Sequence, residues 1–441
     1  MTGFEQKPGI QVYAQDRQVG TLTFSAPHSC EFQYTQSWRL EGYPISPHIP
    51  LNEPCDSAVV VRFLRNLFPE GSAFERLLES ENLSKNNVYA ILNTIGGDTT
   101  GVLTFGPKAV STESTPLRRV TKAELIERLQ NNADMTFWDG KYRLSVAGVQ
   151  KKLNIYIDAD GAMHLAAGRF ASSHILKFSS AQYPTVVVNE LYCMRLAKAV
   201  GLDVAAVRLV RLGDFHALAV TRFDRRVTPN GVTKRHIIDG CQALDMPPEY
   251  KYEQNFGSSK DVRHIRDGAS FAKLFAFAAA TAVPALSTQK IIDWMIFNLI
   301  IGNSDAHGKN ISFYVSGQGG LAVTPFYDLV SVVYEAVHQP QLDTSLAMAI
   351  DDNFDIHAIT AFDLLSLAFD AGIKFDFLQR RIERIVLRVQ GQAQRLDFSQ
   401  DDLATQQERH VRELADLVVR RSGELLKQAR QFKQVYRDAF R

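Results

Sequence analysis

The segment from Ile300 to Asn310, IIGNSDAHGKN, carries the residue types best suited to chemistry in this chain. It follows an apolar run that predicts a buried helix, and a buried helix holds the loop at its end in a fixed position. Within the loop, four residues separate Asp305 from Asn310. A kinase catalytic loop has this spacing, with the aspartate accepting the proton of the substrate hydroxyl and the asparagine binding a metal ion. The spacing predicts phosphoryl transfer with Asp305 as the catalytic base.

A second carboxylate, Asp328, follows this loop, and a β-hairpin between the two can bring Asp328 close to the loop. The segments ISFYV and LAVT are typical of short strands, SGQGG between them is typical of a turn, and Asp328 comes shortly after the second strand. The hairpin is expected to return Asp328 toward Asn310. Amide and carboxylate oxygens suit a hard ion such as Mg²⁺ better than zinc. We therefore expect Asn310 and Asp328 to be metal ligands; the alternative is that these residues only cap turns.

Phosphoryl transfer also needs a cation on the nucleotide phosphates, carried by a strand upstream of the catalytic loop. Lys177 fits this role because it lies in HILKF between apolar neighbours. The helix that follows offers Glu190 as a partner, although a carboxylate on a helix surface is also typical of a solvent-facing position. The alternative for Lys177 is a solvated lysine on a strand.

A weaker phosphate-binding candidate is the segment from Ser145 to Lys152, SVAGVQKK, just before a predicted strand. Gly148 would permit close backbone approach, and Lys151 and Lys152 would supply charge. The segment matches neither G-x-G-x-x-G nor the P-loop pattern, so a plain turn between strands is the alternative. His307 is expected near a phosphate or a ribose, with packing as its alternative role, and the sequence has no HExxH zinc motif.

The elements that must position these residues follow from the hydrophobic pattern. Residues 9–35 alternate apolar and polar around turn residues, which predicts β-hairpins. The apolar spacing from Val60 to Phe68 predicts a helix, which Pro69 ends. Thr121 and Glu124 have the spacing of a capping box at the start of a further helix.

The remaining pattern predicts a β-rich region followed by a helical one. Residues 143–223 are typical of strands with one inserted helix, Thr185 to Val200, and long helical patterns dominate from about residue 240 onward. We expect three domains: a β-rich subdomain at residues 1–110, a nucleotide-binding β-rich lobe at 120–235 and a helical lobe at 236–441.

Composition narrows the functional classes. Apolar residues make up 45% of the 441 residues and charged residues 22%, which is typical of a globular protein and excludes a disordered chain. The net charge is 49 − 48 = +1, so binding of nucleic acid by bulk charge is not expected. The four cysteines are far apart and do not indicate disulfides or a cysteine zinc site. No signal peptide or membrane span is predicted, so a cytoplasmic location is expected.

In their order along the chain, these motifs resemble the HipA family of bacterial serine/threonine kinases, the toxins of toxin-antitoxin pairs. The resemblance covers nearly the whole chain and is carried by the phrases FLRNLFPE, IGGDTTGV, LSVAGVQKK, RFDRR, GNSDAHGKN and TPFYD. It implies an α+β fold with two kinase-like lobes, a β-rich N-terminal lobe with an added small subdomain and a mostly α-helical C-terminal lobe. It also implies a protein kinase that depends on ATP and Mg²⁺.

The resemblance further implies roles for particular residues. Asp305 matches the catalytic base, Asn310 and Asp328 match the metal ligands, and Ser145 matches a serine that the family phosphorylates on itself to switch off. The other residues implied to bind the nucleotide are the phosphate-covering Ala147, Gly148, Val149, Gln150, Lys151 and Lys152, the phosphate-binding Lys177, the hinge residues Thr221, Arg222 and Phe223, and His307, Gly308, Lys309 and Tyr327.

The family's partners also follow from the resemblance. It implies a small helix-turn-helix antitoxin, HipB-like, that binds operator DNA in a repressor complex, and a protein substrate, which in the best-known member is a glutamyl-tRNA synthetase. Where that member has basic residues that touch DNA, this chain has Asp351, Asp352 and Asp355. Carboxylates repel phosphate, so we expect DNA contact mainly through the antitoxin.

Two other functional classes remain open. A small-molecule phosphotransferase would share the Asp305 loop and Asp328. An inactive kinase-like partner of the antitoxin predicts loss of the catalytic residues, yet Asp305, Asn310, Asp328 and Lys177 are all present.

Overall fold

The computed structural model describes residues 8–106, 117–142, 150–317 and 320–440. Ser145, Ala147, Gly148 and Val149 of the expected phosphate-covering segment lie outside the described residues. The described strands are β1 (Ile10–Ala14), β2 (Arg17–Ala26), β3 (Ser29–Tyr34), β4 (Leu103–Gly106), β5 (Arg119–Val120), β6 (Phe137–Trp138), β7 (Lys141–Tyr142), β8 (Lys152–Ile157), β9 (Met163–Leu165), β10 (His174–Phe178), β11 (Val207–Leu212), β12 (Phe215–Thr221), β13 (Arg225–Thr228), β14 (Gly231–Lys234), β15 (Ile237–Asp239), β16 (Ser312–Ser316), β17 (Gly320–Val323), β18 (Ser345–Ile350) and β19 (Asn353–Asp355).

The described helices are α1 (Gln36–Glu41), α2 (Ser57–Arg65), α3 (Ser72–Ser80), α4 (Val88–Ile95), α5 (Lys122–Gln130), α6 (Val186–Ala199), α7 (Gly240–Ala243), α8 (Phe271–Ala278), α9 (Pro284–Ile301), α10 (Val332–His338), α11 (Ala361–Asp370), α12 (Phe375–Gln392), α13 (Thr405–Arg430) and α14 (Phe432–Ala439). Short 3-10 turns cover Pro248–Lys251 and Gly308–Asn310. The chain is therefore a mixed α/β protein. It divides into two compact units, the first comprising Met1–Phe178, Val210–Pro248 and Phe313–Gly320 and the second the remainder.

The first unit begins with the hairpins that the sequence predicts. Strands β3, β2, β1 and β4 form an antiparallel sheet in that order, and α2 and α4 pack against it. The predicted helix at Val60 is α2, whose first turn is capped because the Asp56 side chain accepts a hydrogen bond from the Ala58 N–H. This cap satisfies one of the backbone donors that a helix start leaves open.

A second sheet in the first unit has the strand order β11-β12-β10-β8-β9-β5. Its core face carries Leu153, Leu176 and Ala219, which are fully buried beside Leu125 of α5. The predicted capping box starts α5, since the Glu124 N–H donates to the Thr121 hydroxyl at 3.2 Å and the Glu124 carboxylate accepts from the Thr121 N–H at 2.8 Å. Successive side chains of a strand point to opposite faces, so the residues between these core positions lie on the other face of the sheet.

The second unit is mostly helical, with α9 as its central helix. Helices α8, α12 and α13 pack against α9, and every residue from Ile291 to Ile301 is buried. Asp293 is the one carboxylate in that stretch, and Arg381 of α12 neutralises it through a two-point hydrogen bond at 2.8 and 2.5 Å. Among the described residues, no helix has the length and apolar character needed to span a membrane.

Candidate active site

The central helix α9 ends in a turn that fixes the start of the Asp305 loop. Gly302 adopts a left-handed conformation, φ +73°, and its N–H donates to the Asn298 carbonyl. A Cβ at this position would lie 2.9 Å from the Val333 Cβ, so glycine is required by both conformation and space. The Asn303 side-chain amide then donates to the Asn298 side-chain oxygen at 2.8 Å. The loop therefore leaves a buried helix along one defined path.

Asp305 itself is exposed, and Tyr252 holds its carboxylate. The Tyr252 hydroxyl donates to Asp305 Oδ1 at 2.9 Å, and the Tyr252 ring packs edge-on against the His307 imidazole at 5.3 Å between centroids. An exposed carboxylate at a fixed position is accessible to a hydroxyl substrate. Tyr252 is not recognisable in the sequence, because it lies 53 positions before Asp305 and no motif surrounds it.

Two backbone hydrogen bonds connect the Tyr252 segment to the Asp305 loop within the second unit. The Ala347 N–H of β18 donates to the Ser304 carbonyl at 2.7 Å, and the Glu253 N–H donates to the Ala347 carbonyl at 2.9 Å. The Glu253 carboxylate in turn accepts from the Ala349 N–H at 2.8 Å and from Arg266. Strand β18 thus sets the distance between Tyr252 and Asp305.

The residues after Asp305 form a tight, buried turn. His307 accepts the Lys309 N–H through Nδ1 at 3.2 Å, and the His307 N–H donates to the Asn310 side-chain oxygen at 3.2 Å. His307, Gly308, Lys309 and Asn310 are all buried. The His307 imidazole therefore acts as a cap for this turn, and Asn310 is held with its amide group in one orientation.

The hairpin brings Asp328 to Asn310, as the sequence predicts. The Asn310 side-chain N–H donates to Asp328 Oδ2 at 2.9 Å, and the Thr324 N–H donates to the Ser312 carbonyl at 3.0 Å at the base of the hairpin. The neighbouring Tyr327 hydroxyl donates to the Lys309 carbonyl at 2.8 Å. Asp328 has φ +59°, a conformation that aspartate tolerates and that is often found at functional sites.

The donor set of this pair fits a hard cation. Asn310 offers the second lone pair of an amide oxygen that already accepts from the His307 N–H, and Asp328 offers a carboxylate that accepts from the Asn310 side-chain N–H. Oxygen ligands of this kind suit Mg²⁺, which takes one or two protein oxygens and completes its shell with water and phosphate oxygens. Asp305, Asn310 and Asp328 all belong to the second unit.

In the first unit, Lys177 has a second lysine directly opposite it. Lys177 of β10 pairs with Lys152 of β8, and both lie on the face of the sheet opposite the core residues Leu153 and Leu176. Directly opposed side chains on neighbouring antiparallel strands lie about 4.5–5.5 Å apart at Cβ, and like charges there are destabilising. The register thus places both ammonium-bearing side chains on one face of this sheet.

Gln150 and Lys151, which precede Lys152 in the chain, contact other residues of the first unit. The Gln150 side chain donates to the Phe178 carbonyl at 3.2 Å, and the Lys151 ammonium donates to the Asn132 side-chain oxygen. Lys151 and Lys152 were both predicted to bind phosphate. Lys152 lies opposite Lys177 on the neighbouring strand, whereas Lys151 contacts Asn132.

The expected hinge residues lie at the end of β12. Thr221 closes the strand opposite His174, the Arg222 N–H donates to the Ser173 carbonyl at 3.0 Å, and the Phe223 carbonyl accepts from the Tyr314 hydroxyl at 3.3 Å. These contacts order the segment within the first unit.

The side chain of Arg222 enters a buried ionic cluster that the sequence analysis missed. We use the name RDK cluster for Asp98, Arg222, Asp224, Arg225 and Lys234. Arg222 and Arg225 both bind Asp224, at 2.9 and 2.6 Å, and Asp98 lies 3.2 Å from Arg225 and 3.5 Å from Lys234. The phrases IGGDTTGV and RFDRR are thus brought together by an ionic contact between residues more than a hundred positions apart.

The burial of Glu190 contradicts one of the two interpretations that the sequence allowed for it. It lies on α6 in the second unit and is fully buried, so the solvent-facing interpretation is wrong. The helix is buried on almost all sides, which the apolar period of its sequence did not reveal.

An exposed carboxylate, an amide and a second carboxylate in this order, with the last two joined across a hairpin, are features of enzymes that transfer phosphoryl groups. Two family models match the chain, the HipA N-terminal domain over residues 10–106 and the HipA-like C-terminal domain over residues 144–396. The chain belongs to the HipA family.

Named relatives agree with this assignment. The chain is 42% identical over 386 residues to the serine/threonine-protein kinase toxin HipA of Shewanella oneidensis, covering 86% of this chain and 87% of the relative. It is 32% identical over 393 residues to the protein Y4mE of Sinorhizobium fredii, covering 86% and 89%. A solved complex of Shewanella oneidensis HipA, HipB and operator DNA matches with a TM-score of 0.85 and 38% identity, covering 97% of this chain and 99% of that one.

Proposed function

We propose that this chain is a serine/threonine protein kinase that uses ATP and Mg²⁺ and acts as the toxin of a toxin-antitoxin pair. The proposal rests on the contact between Asn310 and Asp328, together with an exposed, oriented Asp305 in the same loop as Asn310. The proposed architecture is a two-lobed kinase-like fold, with a nucleotide-binding lobe at residues 120–235, an added subdomain at 1–110 and a helical lobe at 236–441. Kinship to a named kinase toxin over 86% of the chain supports both points.

In the proposed reaction, Asp305 accepts the proton of the substrate hydroxyl as the hydroxyl oxygen bonds to the γ-phosphorus of ATP. The bond from that phosphorus to the bridging oxygen breaks, and ADP leaves with the electron pair. The Tyr252 hydroxyl orients the Asp305 carboxylate for this step. Asn310 and Asp328 would hold Mg²⁺, which neutralises charge on the phosphate oxygens. His307, Gly308, Lys309 and Tyr327 give the turn around Asn310 its shape.

The proposal assigns the nucleotide phosphates to Lys177. Its pairing with Lys152 supports this assignment, because it brings two basic side chains together on the sheet face opposite the core. Residues 147–152 would cover the phosphates, and Thr221, Arg222 and Phe223 would present backbone groups to adenine. Phosphorylation of Ser145 would add about −1.5 to −2 charge at this segment and switch the kinase off.

The partners are also proposed by kinship. A HipB-like helix-turn-helix antitoxin would hold the chain on operator DNA, since the related Shewanella oneidensis chain is solved in such a complex. Asp352 and Asp355 are exposed near Asp351, and these three carboxylates outnumber Arg266, which pairs with Asp352. This region would therefore repel DNA phosphates and leave contact mainly to the antitoxin. Glutamyl-tRNA synthetase is the first protein substrate to test, and the proposed location is the cytoplasm.

Transfer of labelled γ-phosphate from ATP by the purified full chain tests the proposal. Asp305→Asn keeps an oxygen that accepts from Tyr252, so the fold should persist while the base is lost. Loss of such a group costs roughly 10²- to 10⁴-fold in rate, or about 3–5 kcal/mol. Asp261→Asn, at an exposed position with no proposed role, is the matched control and should retain the wild-type rate.

Two outcomes would overturn this assignment. Wild-type autophosphorylation by Asp305→Asn would exclude Asp305 as the base. Transfer to small hydroxyl compounds without transfer to Ser145 or any protein would favour the small-molecule phosphotransferase. Magnesium omission should abolish transfer in the wild-type chain, because the Asn310 and Asp328 pair requires the ion to act on the phosphates.

A further inference from the structure

Two histidines and a glutamate meet in the second unit, away from the Asp305 loop in sequence. His410 and Glu413 lie on α13, and His338 is the last residue of α10. One potential ligand atom from each of the three side chains lies within 4.8 Å of the other two. Residues three apart on a helix lie on the same side, so His410 and Glu413 both face His338.

A buried tyrosine orients two of these three side chains. The Tyr334 hydroxyl donates to Glu413 Oε2 at 2.8 Å and lies 2.6 Å from His410 Nδ1. A hydroxyl has one hydrogen, so with that hydrogen on Glu413 it must accept from His410 Nδ1–H. His410 then carries its lone pair on Nε2. Metal-binding histidines are commonly oriented in this way, through a hydrogen bond from the ring nitrogen that does not bind the metal.

The chemistry of the set selects the class of metal. Two imidazoles and one carboxylate suit Zn²⁺ and similar divalent transition metals, whereas Mg²⁺ and Ca²⁺ prefer oxygen ligands alone. With metal–ligand bonds of about 2.0–2.1 Å, tetrahedral ligands lie roughly 3.3–3.4 Å apart. The three ligand atoms lie within 4.8 Å of one another, so binding a metal ion would close each separation by at most about 1.4 Å. His338 is exposed at a helix end, so a change of its side-chain rotamer can supply that movement.

We propose that His338, His410 and Glu413 form a binding site for one Zn²⁺ ion that joins the end of α10 to α13. Three protein ligands leave a fourth position for water, as in open zinc sites. The proposal is independent of the kinase assignment, since none of the three residues belongs to the Asp305 loop or the Asp328 hairpin.

The position of α10 gives the site a structural consequence. At the start of α10, the Val333 N–H donates to the Gly302 carbonyl at 3.0 Å, next to the turn that fixes the Asp305 loop. In the middle of α10, Glu335 accepts from the Thr185 hydroxyl and the Asn189 amide of the α6 region, each at 2.8 Å. Zinc at His338 would secure the other end of the same short helix. Ligand binding to the native state alone raises the melting temperature, so zinc should stabilise the chain.

Calorimetric titration with Zn²⁺ at pH 7.5 tests the site. The full chain is first freed of metal with a chelator. The wild type should bind one equivalent of Zn²⁺, and His338→Ala should bind Zn²⁺ at least 10-fold more weakly. His264→Ala replaces an exposed histidine of the same unit outside the cluster and should bind as the wild type does. Because His338 is exposed, its replacement should leave folding intact, which circular dichroism checks.

Two further measurements separate a metal site from a hydrogen-bonded cluster. Cobalt(II) added to the metal-free wild type should give the visible absorption of a four-coordinate site, and His338→Ala should lose it. Tyr334→Phe should weaken zinc binding about 10- to 100-fold as a positioning residue. Failure of the wild type to bind zinc, or equal binding by the wild type and His338→Ala, would overturn the proposal.

Discussion

Replacing Asp98 with asparagine tests the RDK cluster in the first unit. The cluster holds three cations and two carboxylates, a net charge of 3 − 2 = +1, and Asp98→Asn raises it to 3 − 1 = +2. The Arg222, Arg225 and Asp224 side chains are 5% exposed or less, so solvent cannot compensate the change. Removing one partner of a buried ion pair typically costs about 3–5 kcal/mol.

The lower end of that range applies here. Asp98 is 23% exposed and its nearest cation contacts are 3.2 and 3.5 Å, so part of its charge is screened. We expect Asp98→Asn to lower the free energy of unfolding by about 3 kcal/mol. Asp160→Asn, an exposed turn position in the same unit, is the control and should change it by less than about 0.5 kcal/mol.

Urea unfolding followed by tryptophan fluorescence reports on this unit. Trp38 and Trp138, two of the three tryptophans, lie in the first unit, so a separate transition there can be resolved. Burial alone would raise the pKa of Asp98, but Lys234, Arg225 and Arg222 outweigh it and hold the pKa well below its ordinary value. The advantage of the wild type should therefore be complete at pH 7 and shrink as pH falls below about 4. A difference below about 1 kcal/mol at pH 7 would show that Asp98 does not stabilise the RDK cluster.

Three further predictions concern single residues. Tyr252→Phe removes the hydrogen bond that orients Asp305 and should lower the phosphotransfer rate about 10-fold at unchanged stability, and an unchanged rate would exclude an orienting role. Burial lowers the pKa of His236 to about 4, and its Nε2 contacts the Ile45 carbonyl. Between pH 6.5 and 4 the unfolded chain therefore binds a proton at this histidine that the folded chain does not, so the wild type should lose about 3 kcal/mol of stability over that range. Urea unfolding of His236→Gln should show a weaker loss over that range, and an equal loss in both proteins would contradict the assignment. Phosphorylation of Ser145 should sharply weaken ATP binding by calorimetry, with recovery after phosphatase treatment, and unchanged binding would rule out this switch.

Local patterns of the sequence predicted much of the fold. The capping box at Thr121, the hairpins of residues 9–35 and the helix beginning near Thr185 depend on neighbours within a few positions, and the structure confirms all three. The contact between Asn310 and Asp328 was also predictable, because a short hairpin joins them and the sequence pattern of its two strands is recognisable.

Contacts between distant segments were not predictable from spacing. Tyr252 reaches Asp305 only because β18 lies between their segments, and Asp98 meets Arg225 across 127 positions. The burial of Glu190 depends on helices that follow it much later in the chain. Such contacts result from tertiary packing, for which a single sequence provides no period or motif.

The most direct test of the central claim is the phosphoproteome of cells after brief induction of this chain, compared between the wild type and Asp305→Asn. We expect the wild type to add phosphate to serine or threonine of a small set of cellular proteins, with growth arrest, and Asp305→Asn to add none at equal protein level. Asp261→Asn should match the wild type. Identical phosphopeptides in wild-type and Asp305→Asn cells, alongside equal growth arrest, would contradict the claim that Asp305 makes this chain a protein kinase toxin.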